Sequence, residues 1–209
     1  FGVSGLLPDH PNDPHLKKLK EEATYLIKLH RIKPTQKNSW NFLRLRPAHF
    51  PTIRLAQIAS FFFKNPSPFN NLLLQTNLND IHAMLKVHAS QYWDAHYTFE
   101  NLSGKISKKK LGTTTSDSIL INVICPMMYI YGDYTQDLEL KNKAIGFLEN
   151  IKAEENKFTR HWMQTGQKIE NARQSQGVHQ QINEYCLKNG CLKCKIGHYL
   201  MNAKTNHEN

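Results

Sequence analysis

The stretch Ile119-Leu-Ile-Asn-Val-Ile-Cys-Pro-Met-Met-Tyr-Ile-Tyr131 decides whether this chain contains a buried strand or is helical throughout. Its β-branched residues fit a strand, but the run is longer than strands usually are. Ser116 or Asp117 stands just before it and is suited to cap a helix. We therefore interpret the run as a buried helix, with a kink expected at Pro126.

Helical spacing continues on both sides of this run. Asp13 is suited to cap a helix that starts at Pro14 and ends near Leu29. A second helix is expected to start at Pro51 and to run through the core until Asn65 and Pro66 stop it. The remaining helical segments are Ile81 to about His88, a short helix or continuation over Gln91–Phe99, Leu138 to about Ile151, Phe158–Met163, and Gln174–Leu187 with Gly190 as its stop.

The resulting prediction is an all-α fold, a compact irregular bundle of about seven to nine helices. With 209 residues and a hydrophobic fraction of 40%, one compact domain spanning residues 1–209 is the default expectation. The chain has no uninterrupted apolar run of the ~20 residues that a membrane span requires. We therefore expect a soluble protein with no membrane partner.

Positive charge is the main feature of the composition. Lys and Arg number 27 against 17 Asp and Glu, which gives a formal net charge of +10. Such a surface attracts phosphates and acidic partners. No RNP, zinc-finger or homeodomain motif accompanies the charge, so any nucleic-acid binding is expected to be independent of base sequence.

The cysteines indicate the compartment. Three of the four lie within nine residues near the C-terminus, and Cys125 lies alone elsewhere. This distribution does not resemble a disulfide framework spread over a secreted domain, so a reduced, cytoplasmic setting is expected. The sequence begins at Phe1 rather than at Met, and we expect it to be part of a longer protein.

Cys186, Cys191, Cys194 and His198 form the candidate metal site. Two cysteines separated by two residues can share one metal ion, and His198 follows within a helical turn. A Cys3His zinc site is the simplest metal hypothesis. An iron–sulfur cluster is the less favoured one, because it needs a fourth ligand such as Cys125. Reduced thiols with no metal remain the alternative to both.

Arg44, Arg46 and Arg54 form one candidate anion site. They surround two prolines, and a loop rich in arginine beside a helix that begins at Pro51 is suited to hold phosphate. The alternative is structural: Arg44 and Arg46 cap helix ends or pair with internal carboxylates such as Glu184, and Arg54 lies on a helix flank.

Lys108, Lys109 and Lys110 form a second candidate anion site. The glycine follows the lysines here, whereas a Walker loop needs glycines before its lysine, so this is not an ATP-binding loop. The helix start near Ser116 can still hold a phosphate, with lysines beside it. The alternative is a solvated lysine loop without a ligand.

The aromatic group Tyr92-Trp-Asp-Ala-His-Tyr97 allows two interpretations. His96 lies within one helical turn of Tyr92 and Trp93, which fits a base-stacking platform or a general-base pocket. The alternative is a core face with a hydrogen-bonded histidine. No nucleophile, base and orienting group can be assigned together, so we expect no catalytic activity from this chain alone.

Several separated motifs carry a family resemblance. They are Phe42-Leu-Arg-Leu-Arg-Pro-Ala-His-Phe-Pro-Thr-Ile-Arg-Leu-Ala-Gln57, Tyr92-Trp-Asp-Ala-His-Tyr97, Lys110-Leu-Gly112, Asn183-Glu-Tyr-Cys186 and Cys191-Leu-Lys-Cys194-Lys-Ile-Gly197. In this order they resemble the C-terminal part of the bacterial family called domain of unknown function 2851. The resemblance implies a preceding β-rich region with acidic motifs similar to those of metal-dependent nucleases, which would be a partner of this chain.

Two functions follow from these features. The first is an accessory domain that binds nucleic acid through its basic surface, next to that nuclease-like region. The second is a structural or protein-interaction domain with no nucleic-acid role. The two differ in where the cations lie, because exposed arginines and lysines on one face favour the first and buried or internally paired ones favour the second.

Overall fold

The computed structural model describes residues 1–99 and 101–205, with side chains up to residue 202. Within these residues the regular structure is helical and the only β features are isolated bridges, such as the one between His88 and Lys110. The all-α prediction is therefore confirmed. The contacts divide the chain into unit 1, Phe1–Gln75 with Asn79–Ser116, and unit 2, Thr76–Leu78 with Asp117–Asn209. The single-domain expectation stays a prediction.

Ten α-helical segments occur in the described residues. They are α1 Pro14–Leu29, α2 Pro51–Lys64, α3 Pro68–Leu74, α4 Leu78–Leu85, α5 Thr113–Ile119, α6 Cys125–Tyr134, α7 Leu138–Asn150, α8 Lys157–Met163, α9 Ala172–Gln181 and α10 Lys195–Thr205. The π-helical turn Leu120–Ile124 joins α5 to α6, which leaves nine separate helices in this part of the chain. None of them is long and apolar enough to cross a bilayer.

The core of unit 1 forms where α1 and α2 meet the loops. The Asp13 carboxylate accepts the backbone N–H groups of His15 and Leu16, so α1 starts as predicted. Leu16 and Ile53 are fully buried. The core consists of Leu6, Leu7, Leu16, Ala23, Ile53, Ala56, Ala89, Trp93 and Phe99.

Only the first half of α2 lies in this core. Ile53 and Ala56 are buried, whereas Ile58, Phe62 and Phe63 are exposed, Phe63 to 89%. The predicted start and end of α2 are correct. The prediction that the helix lies in the core is therefore wrong for its second half. These apolar side chains remain at least half exposed in the described structure, although a continuous apolar run in sequence is typical of a buried helix.

The run from Ile119 to Tyr131 is helical, as expected, but differs from the prediction in two details. The helix starts at Thr113 rather than after Ser116 or Asp117, since Gly112 O already accepts the Ser116 N–H at 3.0 Å. The proline is accommodated by the π turn, in which the Cys125 N–H bonds to Leu120 O. A wider turn relieves the clash that a proline ring makes with the preceding turn of an α-helix.

Unit 2 packs α6 against α7, and α7 and α8 against α9. Asp137 caps α7 by accepting the Leu140 N–H at 2.9 Å. Gly132 makes the close approach to this cap possible, because a Cβ there would lie 2.9 Å from the Asp137 carbonyl oxygen. The second half of the Ile119–Tyr131 run is only partly buried, with Met128 inside and Ile130 exposed.

The helix that contains α9 ends at the predicted position, near Leu187, but the residue that stops it differs from the prediction. The π turn Ile182–Cys186 extends it, and Asn189 takes the left-handed conformation with a φ of 52°. Gly190 has a φ of −86°, and its N–H bonds to Tyr185 O at 2.8 Å. Asn replaces Gly here because its short polar side chain also tolerates that conformation. The short helices α3 and α10 were not predicted.

Candidate functional site

The positive charge of the chain is concentrated in unit 1. The unit 1 sequence has 16 lysines and arginines against seven aspartates and glutamates, a formal excess of nine. Unit 2 has 11 against ten, an excess of one. An uneven distribution of this size gives the two units different surface potentials, and only unit 1 is strongly attractive to anions.

Arg44 and Arg46 are exposed side chains of the loop that leads into α2. The Asn41 side chain accepts the Leu43 N–H at 2.9 Å and shapes the turn before Arg44, which has a φ of 60°. Arg46 immediately precedes the 3₁₀ turn Pro47–His49. Both arginines therefore extend from short, locally ordered turns into solvent, where an anion can reach them.

Arg54 has a different environment from these two arginines. It is partly buried on α2, and its guanidinium lies 2.9 Å from Gln57 Oε1, 3.0 Å from His49 Nδ1 and 3.2 Å from Thr115 Oγ1. Burial lowers the pKa of Arg54 from its ordinary value. Its N–H groups join α2 to the start of α5. A structural role on the flank of the helix therefore describes Arg54 better than direct contact with an anion does.

The three lysines of the second candidate site are also unlike one another. Lys108 and Lys110 are exposed, whereas Lys109 is only 5% exposed. Its Nζ donates to the carbonyl oxygens of Asp94 (3.1 Å) and Ser107 (3.0 Å) and lies 4.2 Å from the centre of the Tyr97 ring. Lys109 therefore fastens this segment to the core of unit 1, and its neighbours on either side face solvent.

Lys110 also lines a cleft of about 600 Å³, which the sequence pattern does not reveal. The other polar side chains that line it include His82, Lys86, His88, Thr113 and Ser116. They come from α4, from the residues after it and from the start of α5. In the sequence, only the spacing of His82, Lys86 and His88 at the end of a predicted helix indicates a polar site. The sequence does not show that Lys110 lies beside these residues.

The aromatic group belongs to the core. Trp93 and Phe99 are buried, and the Trp93 ring stacks on Phe1 with centroids 5.5 Å apart. His96 Nδ1 lies 2.7 Å from the Tyr92 carbonyl oxygen, and the two rings stack. The interpretation of these residues as a core face with a hydrogen-bonded histidine agrees with this packing.

The cysteine cluster of unit 2 is spread over several short turns. All four cysteines are free, with Cys186 and Cys191 exposed and Cys194 buried. Gln181 Nε2 donates to Cys194 Sγ at 2.9 Å. The backbone N–H of Gly197, aided by Gln181 and Ile196 and opposed by burial, lowers the pKa of the Cys194 thiol.

The fourth predicted ligand, His198, is exposed and its Nδ1 lies 3.1 Å from Asn202 Nδ2. Among the residues that the structure describes, no three His, Cys, Asp or Glu side chains converge in a way that could hold a metal ion. The zinc and iron–sulfur hypotheses stay predictions. Metal analysis of protein purified without chelator tests them: about one equivalent of zinc or iron supports a site, and less than about one-tenth contradicts it.

Comparison with known proteins identifies the family. Residues 1–157 match the family described as proteins of unknown function, DUF2851. The chain belongs to this family. No curated protein and no solved structure matched the chain.

The DUF2851 match includes all of unit 1 and ends before the cysteine cluster. Arg44, Arg46, Lys108 and Lys110 therefore lie in the matched region, as does the cleft. The two cysteine-containing motifs on which part of the resemblance rested lie outside it. The matched region thus consists of unit 1 and the first helices of unit 2.

Proposed function

We propose that this DUF2851 chain binds nucleic acid through unit 1, by contacts to phosphate groups that do not depend on base sequence. The observation that supports the proposal is the concentration of nearly all of the excess positive charge in unit 1. Nucleic acid carries one charge per phosphate, and neutralising these charges releases counterions, which drives association.

The contacts are assigned to side chains that are both cationic and exposed. Arg44 and Arg46 supply guanidinium groups, each of which can bind two phosphate oxygens at once. Lys108 and Lys110 supply ammonium groups. Arg54 is not assigned a contact, because its donors already bond within unit 1. Lys109 is excluded for the same reason.

The biological setting of the proposal comes from the family resemblance. The resemblance implies a preceding region similar to metal-dependent nucleases, and unit 1 would hold a strand for that region. We assign the activity to the cytoplasm, because all four cysteines are free thiols and reducing compartments keep them so.

A second candidate function is supported by the exposed end of α2. Ile58, Phe62 and Phe63 are all at least half exposed, and apolar side chains grouped in this way mark sites of protein association. The proposed occupant is the same preceding region, so this surface would join the two parts of one protein. Binding of that region to this chain, and its loss in Phe62→Asp/Phe63→Asp, tests the second function.

The experiment for the leading function is a salt titration of nucleic-acid binding. Fluorescence anisotropy with mixed-sequence single- and double-stranded oligonucleotides measures Kd from 50 to 200 mM NaCl. We expect log K to fall linearly with log salt, by about 0.7 to 0.9 per phosphate contacted, with little difference between sequences. A Kd that is flat over this range rules out phosphate-driven binding.

Charge reversal then locates the contacts. The triple variant Arg44→Glu/Arg46→Glu/Lys108→Glu should weaken binding at least about tenfold and lower the salt slope by about two. The matched control is Lys152→Glu/Lys168→Glu/Lys195→Glu, which reverses three exposed lysines of unit 2. Equal losses in both variants would contradict the assignment to unit 1.

A further inference from the structure

The cleft in unit 1 has walls that are fixed by backbone contacts. One wall is the end of α4 with the residues that follow it, and the other is the segment that leads into α5. The Leu111 N–H bonds to Val87 O at 2.9 Å, and His88 and Lys110 form a β-bridge. A volume of about 600 Å³ is typical of sites for small molecules the size of a nucleotide.

The polar lining of this cleft consists of cations and hydrogen-bonding groups. Lys86 and Lys110 contribute two ammonium groups, and His82 and His88 two imidazoles. Thr113 and Ser116 add hydroxyl groups, whereas no Asp or Glu is among the described residues that line the cleft. A site with several donors and no carboxylate disfavours the hard cations Ca²⁺ and Mg²⁺, which need oxygen ligands, and favours an anion.

Two of these side chains are already held in position. Ser116 is buried, and its Oγ lies 3.0 Å from His82 Nδ1. Leu85 and Val87, also in the lining, are buried and form an apolar floor. Polar groups fixed in this way need little reorganisation when a ligand enters, which favours binding.

We propose that this cleft binds a phosphate monoester. A monoester carries a charge of about −1.5 to −2 at neutral pH, which two ammonium groups match. Its three terminal oxygens accept further bonds from the Thr113 hydroxyl and from the hydrogen-bonded pair of His82 and Ser116. A phosphodiester within a strand carries only one charge. The monoester comes either from the end of a nucleic-acid strand, a source that rests on the proposed function, or from a free nucleotide.

The first test uses inorganic phosphate and the histidine side chains as reporters. In NMR spectra of the whole chain, the ring signals of His82 and His88 should shift as phosphate is added. Lys86→Gln/Lys110→Gln should weaken this binding at least about tenfold, as expected for the loss of charge-assisted hydrogen bonds. The matched control Lys33→Gln removes an exposed unit 1 lysine outside the cleft and should leave the titration unchanged.

The second test shows whether the phosphate belongs to a strand end or to a free nucleotide. Its main comparison is between ligands and uses the wild-type chain. Adenosine monophosphate is compared with adenosine, and a 5′-phosphorylated oligonucleotide with the same strand lacking the phosphate. A gain for the phosphorylated strand that disappears in Lys86→Gln/Lys110→Gln supports the strand-end source. Binding of the monophosphate without any gain for the strand supports a free nucleotide.

The proposal for the cleft and the proposal for unit 1 can fail separately. Absence of any His82 or His88 shift with phosphate or adenosine monophosphate overturns the cleft site, even when oligonucleotides bind. Equal phosphate affinity in wild type and Lys86→Gln/Lys110→Gln overturns it as well. Phosphate shifts in a chain that binds no oligonucleotide support the cleft and contradict the proposed function.

Discussion

Unit 1 and unit 2 are both built from helices, but they treat charged side chains differently. Unit 2 has nearly equal numbers of cations and carboxylates, and several of them form ion pairs, such as Lys141–Asp133, Arg160–Glu155 and Lys188–Glu184. In unit 1 the cations outnumber the carboxylates by more than two to one. The difference indicates that the charge of unit 1 is available for an external anion, whereas that of unit 2 is largely balanced internally.

Lysines that are adjacent in the sequence of unit 1 also have different roles. Lys109 hydrogen-bonds to backbone carbonyl groups in the core, and Lys108 and Lys110 beside it are exposed. A basic run in sequence is therefore not one functional element. The buried lysine positions the segment, and its neighbours are the ones that a phosphate can reach.

The largest effect is expected at Lys109. Lys109→Ala leaves the partly buried carbonyl groups of Asp94 and Ser107 without this donor. It also removes a buried side chain beside Tyr97 and leaves a cavity, so unit 1 should lose about 3 kcal/mol of stability. Hydrogen exchange of unit 1 amides under increasing denaturant measures the loss. The matched control Lys108→Ala, at an exposed position, should change stability by less than about 0.5 kcal/mol. Similar values for both variants would show that Lys109 is not structural.

Changes in stability of medium size and opposite sign are expected when two glycines of unit 2 are replaced by alanine. A Cβ on Gly197 would overlap the carbonyl oxygen of Cys191, so Gly197→Ala should destabilise the attachment of α10 by about 2 kcal/mol. Gly177 lies in α9 with nothing within 4 Å of its Cβ position. Gly177→Ala should therefore stabilise unit 2 by about 0.5–1 kcal/mol. Chemical denaturation of both variants, followed by hydrogen exchange of unit 2 amides, checks the signs, and destabilisation by both would contradict this packing.

The smallest effect concerns alkaline pH and Cys125. Burial raises the pKa of this thiol from its ordinary value of 9.0 to about 12. Between these values the unfolded chain loses the proton and the folded chain keeps it, so stability falls as the pH rises. Relative to Cys125→Ala, the wild type should lose about 1 kcal/mol between pH 9 and pH 10. Denaturation midpoints at several pH values measure this difference, and parallel curves for the two proteins would contradict the raised pKa.

Local signals in the sequence predicted much of the fold. Asp13 followed by Pro14 fixed the start of α1, and Asp137 lies at the start of α7, close to the predicted Leu138. Such caps depend on neighbours within a few residues, which a sequence shows directly. The exposed second half of α2 depends instead on which distant segments cover it, and the periodicity of Phe61-Phe-Phe63 does not contain that information.

The site was less accessible to prediction from the sequence. Arg44 and Arg46 are exposed and Arg54 is partly buried, and Lys110 is exposed and Lys109 is buried. The sequence does not distinguish the arginines from one another, nor the lysines. The burial of Lys109 arises from contacts with Asp94 and Tyr97, which lie more than ten residues away. The cleft likewise needs α4 and the start of α5 to meet, and spacing along the chain does not reveal such a meeting.

Lysine footprinting tests the central claim, that unit 1 rather than unit 2 contacts nucleic acid, most directly. The chain is acetylated with and without a saturating mixed-sequence oligonucleotide at low salt, and modification is quantified at each lysine by mass spectrometry. We expect Lys108 and Lys110 to be protected several-fold, and the exposed Lys168 and Lys195 of unit 2 to react equally in both samples. Protection of the unit 2 lysines, or equal reactivity of all four with and without the oligonucleotide, would contradict the account.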